Sequence, residues 1–308
     1  MRKSLGRTWR ACEEFLHWSV HELPQSPGLE IYGSIADRQN RAFHARLDTG
    51  GTSGFQDYIS PYQFRNITKT VWIFWEQGEL NAPYIVQLCI DSWRVKNPGW
   101  NVFILDHDSV SRYSDVSDIF NGLPKRFTAN LLRLRLLSRY GGVWADATTL
   151  CHRPLDDWIP LLGGQTGFFA FRGPSIDRWI DNWFIAANCD SRLIQAWERT
   201  YERYVTRLRR MPKKYFMMIY SLQYEIWKDR ALRREFQSSG GLPAVPAFFL
   251  QGYLEGKCDA GPFKRALEAG FPVSKLNWRT ALPDDALMER FAACGLIDDG
   301  AGWQHHHF

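Results

Sequence analysis

Three short runs of β-branched and aromatic residues alternate with two helical patterns between residues 70 and 146. The runs are TVWIFW, WNVFILD and VWAD, and their length and composition are typical of buried strands. Because strand, helix and strand within about forty residues form a right-handed parallel βαβ unit, the pattern predicts an α/β domain. Ligands of open α/β sheets bind beyond the carboxyl ends of the strands, so the residues that follow these runs are the first candidates for a site.

The helical patterns between the runs have recognisable ends. Pro83 opens the first helix, and the turn signal Asn97-Pro98-Gly99 closes it. Thr128 is the expected N-cap of the second helix, FTANLLRLRLLSRY, and Gly141-Gly142 ends that helix. The strand VWAD begins immediately afterwards, which places Asp146 at the carboxyl end of a strand.

Composition and charge limit the classes of function. The chain has 308 residues and is 45% hydrophobic, which is enough for one large core with an elaborated lobe. Its net charge of +5, from 38 basic and 33 acidic residues, suits an anionic small ligand or a membrane surface. The charge is too small for a nucleic-acid-binding protein, so no nucleic-acid partner is expected.

Cysteine usage and hydropathy predict a cytoplasmic protein. The 6 cysteines contain no CxxC pair and no zinc-type spacing, which favours reduced thiols over a disulfide framework. The N-terminal stretch has basic residues but no apolar segment of signal-peptide length, and no run of eighteen apolar residues follows. We therefore expect neither export by a signal peptide nor a membrane span.

The chain divides into a peripheral part and one domain. Residues 1–65 predict a peripheral extension of helix and loop, with a short amphipathic helix around residues 8–20. Residues 66–308 predict a single domain with a C-terminal helical elaboration. Within it GFFAFRG predicts a strand, DRWIDNWFIAAN a loop before a long amphipathic helix, and YFMMIYSLQYEIWKDRALRREF a further helical stretch.

Asp146 is an unusual residue for the end of an apolar strand. Aspartate is depleted in strands and is rarely buried without a partner. Three interpretations follow from the residue alone: it holds a metal, it hydrogen-bonds a ligand, or it caps the next turn through its own backbone. The choice among them largely decides the function.

Three stretches of the chain resemble the capsular polysaccharide synthesis proteins, which are similar to glycosyltransferase family 32. They are WIFWEQGELNAPYIVQLCIDSWRVKNPGWNVFILD, LLRLRLLSRYGGVWADATTLCHRPLDDWI, and FFAFRG with NWFIAAN; SKLNWR gives a weaker match. The resemblance implies a GT-A fold, a Rossmann-type nucleotide-sugar-binding domain with a mainly parallel central sheet and added helices. It also implies transfer of a sugar from a nucleotide-sugar donor to a hydroxyl group, with retention at the anomeric carbon.

The family's acidic D-x-D motif falls on Asp146 in this sequence, but the second carboxylate is replaced by the hydroxyl of Thr148. In such enzymes this region meets the ribose, the diphosphate and a divalent metal ion, which implies Asp146 and Thr148 as metal ligands and Mn²⁺ or Mg²⁺ as the cofactor. Magnesium commonly uses only one or two carboxylates with phosphate and water, so a single aspartate can suffice. Thr148 would then orient a bound water.

Two residues of the preceding helix share a face with each other and point to the same region. Arg133 is a candidate for contact with the nucleotide or for support of Asp146, since guanidinium pairing with carboxylate or phosphate is strong; Arg135 and Arg139 lie nearby and are weaker candidates. Asn130 stands where the resemblance leads us to expect an aspartate. Its amide can still hydrogen-bond a ribose hydroxyl or a base edge, but the departure puts nucleotide preference in doubt.

Trp75, at the end of the first strand, matches an aromatic position that stacks on the nucleotide base in related glycosyltransferases. Such stacking is worth about 1 to 3 kcal/mol by analogy with nucleic-acid sites. With 14 tryptophans in the chain, packing in the core is an equally good interpretation.

Three further candidates come from the later stretches. Asn182 matches a position near the transferred sugar, and Asp181 beside it could contact sugar hydroxyls, although both could instead be helix N-caps. Lys275 in SKLNWR could bind the diphosphate or simply be exposed. Lys214 and Ile219 stand where the family is expected to carry an acid and a histidine, which indicates divergence.

The leading hypothesis is a glycosyltransferase that acts in capsule or related polysaccharide synthesis on a glycan or lipid-linked acceptor. The basic run of residues 203–214 is a solvated helix face or a peripheral contact with anionic lipid at the inner face of the membrane. The alternative is a degenerate relative that binds nucleotide or glycan without transfer, an interpretation that Asn130, Lys214 and Ile219 favour. A phosphotransferase is disfavoured because the sequence has no GxxxxGK[ST] segment.

Overall fold

The computed structural model describes residues 67–114, 124–163, 166–175, 178–206, 215–280, 282–298 and 302–303. The predicted peripheral extension, most of the basic run and Lys214 lie outside these residues, so the expectations about them stay predictions.

The described strands form one central sheet and two small ones. In chain order they are β1 (Thr70–Phe74), β2 (Asn101–Leu105), β3 (Gly142–Ala145), β4 (Thr149–Cys151), β5 (Phe168–Ser175), β6 (Arg178–Ala187), β7 (Val273–Lys275), β8 (Ile297–Asp298) and β9 (Gly302–Trp303). The central sheet has the order β2-β1-β3-β6-β5, while β4 pairs with β7 and β8 with β9.

The described helices surround the central sheet. They are α1 (Tyr84–Lys96), α2 (Lys125–Tyr140), α3 (Ile159–Gly163), α4 (Arg192–Thr206), α5 (Met217–Lys228), α6 (Arg230–Ser238), α7 (Phe249–Leu254), α8 (Gly261–Glu268) and α9 (Asp284–Ala293). Among them, none combines the length and the apolar character that crossing a bilayer requires.

The predicted α/β class is confirmed, but the central sheet is mixed and not mainly parallel. Strand β1 is parallel to both β2 and β3, as the βαβ pattern predicts. Strand β6 is antiparallel to β3 and to β5. Strands β5 and β6 are nearly consecutive in the chain, and a connection this short can join only antiparallel strands.

Alternation along β1 builds a separate core on each face of the sheet. Val71 and Ile73 are fully buried against α1, whereas Trp72 is buried on the other face with residues of α2, α4 and α5. Helix, sheet and helix thus form three layers, and both faces of the sheet are covered.

Most predicted helix ends agree with the structure. Helix α1 begins directly after Pro83 and ends before Asn97. Helix α2 ends at Tyr140 with Gly141 at φ 67°, as the glycine pair predicts. The predicted N-cap Thr128 is wrong: α2 starts at Lys125 after Pro124, and Thr128 is buried inside the helix, where its side chain packs in the core.

Two other expectations for the later part of the chain were wrong. Asp181 and Asn182 lie inside strand β6 and are neither loop residues nor helix N-caps. The single helical stretch after residue 215 is two helices, because the Asp229 carboxylate accepts the N–H groups of Ala231 at 2.7 Å and Leu232 at 3.2 Å and so caps α6.

Candidate active site

Asp146 is held at the carboxyl edge of the sheet by its own backbone. Its N–H donates to the carbonyl of Trp183 in β6 at 2.8 Å, and its carbonyl accepts the N–H of Thr149 at 2.8 Å. Because β1 runs parallel to β3, Trp75 leaves the sheet at the same edge. This is the edge where open α/β sheets bind their ligands.

The Asp146 carboxylate lies between two cations. Oδ1 accepts the indole N–H of Trp144 at 2.9 Å and lies 3.2 Å from a terminal nitrogen of Arg133. Oδ2 lies 3.8 Å from the ammonium of Lys275. The side chain is 29% exposed, so a ligand can still reach it.

Arg133 is buried and fixes Asp146 from below the surface. Its side chain is only 7% exposed, and its other terminal nitrogen donates to the backbone carbonyl of Asn182. The guanidinium carbon also lies 4.9 Å from the ring centre of Trp144. The sequence left two roles open for Arg133, contact with the nucleotide and support of Asp146. The observed contacts are those of the second role.

The two neighbouring arginines of α2 point to other partners. Arg135 pairs with Glu202 of α4, and the Arg139 guanidinium lies over the ring of Tyr140. Neither arrangement involves Asp146.

Asn130 and Asn182 belong to a hydrogen-bonded group beside Arg133. The Asn130 amide donates to the hydroxyl of Tyr201 at 3.3 Å, and its carbonyl accepts from the Asn182 amide at 3.4 Å. The Asn182 amide also lies 3.3 Å from the sulfur of Met218. Asn182 is linked to Asp146 through the guanidinium of Arg133, and both asparagines are half-buried, so they keep some access to a ligand.

Asp181 is buried and engaged by its neighbours in β6. It is 4% exposed, accepts the N–H of Asn182 at 3.1 Å and lies 3.6 Å from Arg178. Burial raises the pKa of the Asp181 carboxyl above its ordinary value, and Arg178 opposes that shift. Its role toward a sugar stays a prediction, and in this structure its contacts are internal.

Lys275 and Thr148 meet because the small sheet joins distant parts of the chain. Strand β7 pairs with β4 in a register that sets Lys275 opposite Thr149, and the Leu276 N–H donates to the Thr148 carbonyl at 2.8 Å. The Lys275 ammonium donates to the Thr148 hydroxyl and to the Leu276 carbonyl, the latter at 3.2 Å. Lys275 is therefore part of the Asp146 cluster.

Trp75 is half-buried and contacts a second tryptophan. Its ring meets Trp278 edge-on, with ring centres 5.9 Å apart and planes at 80°. Trp278 is 44% exposed and follows β7, in the segment that carries Lys275. Trp75 also packs against the core, and its stacking on a base stays a prediction.

Asp146 and Thr148 do not fit a divalent metal ion as they stand. Within the described residues, no three His, Cys, Asp or Glu side chains are grouped to hold a metal. The Asp146 carboxylate is already next to two cations, and the Thr148 oxygen accepts from Lys275. A metal bound by this pair would have to displace the lysine, and the expected Mn²⁺ or Mg²⁺ stays a prediction.

Two aromatic residues of the site were missed from the sequence. Trp144 lies two residues before Asp146, and alternation along a strand places such residues on one face, so the signal was present. Trp278 lies within the SKLNWR stretch, but only its meeting with Trp75 in the folded chain reveals its part.

Two curated fungal proteins are similar to part of this chain. O-glycosyltransferase braB of Annulohypoxylon truncatum is 31% identical over 157 residues, which are 44% of this chain and 37% of the relative. Glycosyltransferase afumC of Aspergillus fumigatus is 33% identical over 156 residues, 44% of this chain and 40% of the relative. The chain thus matches less than half the length of each relative.

A solved structure of a protein named PaToxG Glycosyltransferase covers 89% of this chain and 99% of its own, with 15% identity and a TM-score of 0.39. At that TM-score the likeness does not itself assign the fold. The model of the family described as capsular polysaccharide synthesis protein matches residues 39–290, which is most of the sequence. The chain therefore belongs to the capsular polysaccharide synthesis protein family.

Proposed function

We propose that this chain is a glycosyltransferase that moves a sugar from a nucleotide-sugar donor to a hydroxyl group of a glycan or glycoconjugate. Its family and the names of its two fungal relatives support sugar transfer in general. A GT-A arrangement, retention at the anomeric carbon, a role in capsule or related polysaccharide synthesis and a cytoplasmic location belong to the same proposal.

One observation carries the proposal: the Asp146 carboxylate lies between the cations of Arg133 and Lys275 at the ligand-binding edge of the sheet. In the transfer, the bond between the anomeric carbon and the phosphate oxygen breaks while the acceptor oxygen bonds to that carbon, and the proton of the acceptor hydroxyl leaves to solvent by way of the departing diphosphate. The departing nucleoside diphosphate gains negative charge, which fixed cations stabilise most where the charge develops.

The other residues contact different parts of the donor or position the residues that do. Trp75 stacks on the base, Asn130 and Asn182 hydrogen-bond the ribose or the transferred sugar, and Arg133 acts through Asp146 as a positioning residue. Asp146, with 29% of its side chain exposed, is the acceptor for a donor hydroxyl.

Release of nucleoside diphosphate from a panel of UDP- and GDP-sugars, with candidate glycan acceptors, tests the proposal. We expect turnover with one donor class and its loss in Asp146→Ala. The matched control is Asp190→Ala, at an exposed aspartate that follows β6, which is expected to leave turnover unchanged.

Unfolding curves for each variant separate a lost function from a lost fold. A folded Asp146→Ala protein with full turnover would contradict the proposal. Nucleotide binding that depends on Asp146, without turnover of any donor, would favour the alternative of a protein that binds nucleotide or glycan and transfers nothing.

We further propose that the acceptor is linked to a lipid. The basic run of residues 203–214 supports it by charge alone, since anionic headgroups attract each basic residue near the membrane by about 1 kcal/mol. Sedimentation with vesicles that contain anionic lipid would test it, and equal sedimentation with neutral vesicles would contradict it.

A further inference from the structure

We propose that the Lys275 ammonium takes the place of a divalent metal ion, so that the donor diphosphate binds to this protein without Mn²⁺ or Mg²⁺. The inference rests on the proposed function and concerns the same site. It follows from where Lys275 lies relative to the two residues that the D-x-D pattern offers as metal ligands.

The position of Lys275 is fixed by backbone pairing and does not depend on its long side chain alone. Strands β4 and β7 pair over three residues on each side, and the Leu276 N–H extends the attachment to the carbonyl of Thr148. The side chain is 18% exposed, which shows that it is largely surrounded by protein. An ammonium held this way loses little further freedom when an anion binds.

The Lys275 ammonium lies next to both oxygens that would bind a metal. Its ammonium donates to the Thr148 hydroxyl and lies 3.8 Å from Asp146 Oδ2, while Asp146 Oδ1 already has Arg133 and the Trp144 indole as partners. A divalent ion would enter a cluster that already holds two cations and would meet repulsion from both.

The same cluster is well suited to an anion. Arg133, Asp146 and Lys275 together carry two positive charges and one negative, so the cluster is net positive. An ammonium has three N–H donors, and two of those of Lys275 are used in hydrogen bonds to the described residues. The contact to Asp146 at 3.8 Å is too long for a hydrogen bond, so the third donor remains for a phosphate oxygen.

Calorimetric titration of UDP, GDP, UMP and GMP into the full chain, with EDTA, Mn²⁺ or Mg²⁺, tests the proposal. We expect one diphosphate to bind as tightly in EDTA as in either metal. Lys275→Met should weaken that binding about tenfold to a hundredfold, and weaken the monophosphate less. Lys275→Arg, which keeps the charge, should recover much of the affinity.

Lys257→Met is the matched control, because Lys257 is 72% exposed and pairs with Glu255 away from this cluster. Thermal unfolding of every variant confirms that it is folded. The comparison of binding in EDTA with binding in Mn²⁺ or Mg²⁺ uses the unaltered chain and so does not depend on any variant. Binding that requires Mn²⁺ or Mg²⁺ would overturn this inference and leave the glycosyltransferase proposal intact. Metal-independent binding that a folded Lys275→Met variant keeps would overturn the role of Lys275. Failure of every nucleotide to bind under any condition would overturn both proposals.

Discussion

The guanidinium of Arg133 bridges strand β6 and the Asp146 carboxylate. One terminal nitrogen pairs with Asp146 at 3.2 Å and the other donates to the Asn182 carbonyl, a geometry that only a planar fork can supply. Arg133→Lys keeps the charge but loses one of the two contacts. We expect the free energy of unfolding to fall by about 1 to 3 kcal/mol and nucleotide affinity to fall with it.

Urea unfolding together with nucleotide titration measures both effects of Arg133→Lys. Arg135→Lys is the control on the same helix, because Arg135 pairs with Glu202 away from Asp146. Its nucleotide affinity should not change. Equal losses of affinity in the two variants would show that Arg133 has no special relation to the site.

Trp75 provides a second prediction, since it follows β1 at the carboxyl edge of the sheet. If it stacks on the base, Trp75→Leu should weaken nucleotide binding by about 1 to 3 kcal/mol, roughly tenfold to a hundredfold. Calorimetry measures the change. Trp227→Leu, at a tryptophan that is 54% exposed and stacks on Tyr224, is the control and should bind normally. Unchanged affinity in a folded Trp75→Leu variant would leave core packing as its role.

At the scale of elements, the turn between α2 and β3 sets where Asp146 lies. Gly142 has φ 99°, and a Cβ there would lie 2.5 Å from the carbonyl oxygen of Thr70 in β1. Gly142→Ala must therefore push β3 from its neighbour, and we expect a loss of at least about 3 kcal/mol in unfolding free energy.

Gly256→Ala measures how much unfolding free energy is lost from the left-handed backbone conformation alone. Gly256 has φ 70°, and no atom lies within 4 Å of the point that a Cβ would occupy, so only the left-handed conformation is penalised. That penalty is about 1 to 2 kcal/mol. Chemical denaturation compares the two variants. A similar loss in both would mean that the contact with β1 relaxes without cost.

The pairing of β4 with β7, which carries Lys275, includes a buried histidine. His152 follows β4 and hydrogen-bonds Ser274 of β7 at 2.8 Å, and burial lowers the pKa of His152 from 6.5 to about 3. Below pH 6.5 the unfolded chain binds a proton here that the folded chain does not. The contribution of neutral His152 to the free energy of unfolding is therefore fully present above pH 6.5. It is lost as the pH falls toward 3, by up to about 1.4 kcal/mol per pH unit.

His152→Gln removes that titration and keeps a side chain able to hydrogen-bond. We expect the variant to be less stable at pH 7 but to lose less stability between pH 6.5 and 4.5 than the unaltered chain. Urea unfolding at several pH values measures the difference between the two curves. Parallel curves would show that His152 does not carry the acid sensitivity.

The elements that local sequence determines were predictable, and those that depend on distant partners were not. Strands β1, β2 and β3 follow from apolar runs, and the end of α2 follows from Gly141 and Gly142. Strand β6 contains Arg178, Asp181 and Asn182, which make it resemble a loop. These polar residues are tolerated in the sheet because Arg133, Asn130 and one another satisfy them, and no local pattern reveals such partners.

The candidate site divides in the same way. The position of Asp146 followed from the strand and the turn before it, whereas its contact with Lys275 depends on a strand more than a hundred residues later in the chain. That contact changes the chemistry expected of the D-x-D position, since a hydroxyl replaces the second carboxylate and an ammonium lies next to both side chains that would hold a metal.

At the scale of the whole molecule, the site joins two parts of the fold. One part is the carboxyl edge of the central sheet, and the other is the segment around β7, held by β4 and by the Leu276 N–H bond to Thr148. The Asn277 N–H likewise donates to the side chain of Gln251 in α7 at 2.7 Å. A ligand that contacts Lys275 and Trp75 together touches both parts and should oppose their separation.

Hydrogen exchange provides the final prediction. Opening of the segment after β7 exposes the amides of Leu276 and Asn277. A ligand that binds only the closed form lowers the population of the open form, and so slows exchange, by the factor 1 + [L]/Kd, about a hundredfold at a ligand concentration of 100 Kd. Mass-spectrometric exchange with and without nucleoside diphosphate measures it, with the amides of α9 as an internal reference that should not change. Slower exchange confined to the sheet would mean that the ligand binds the edge alone, and that Lys275 does not contact it.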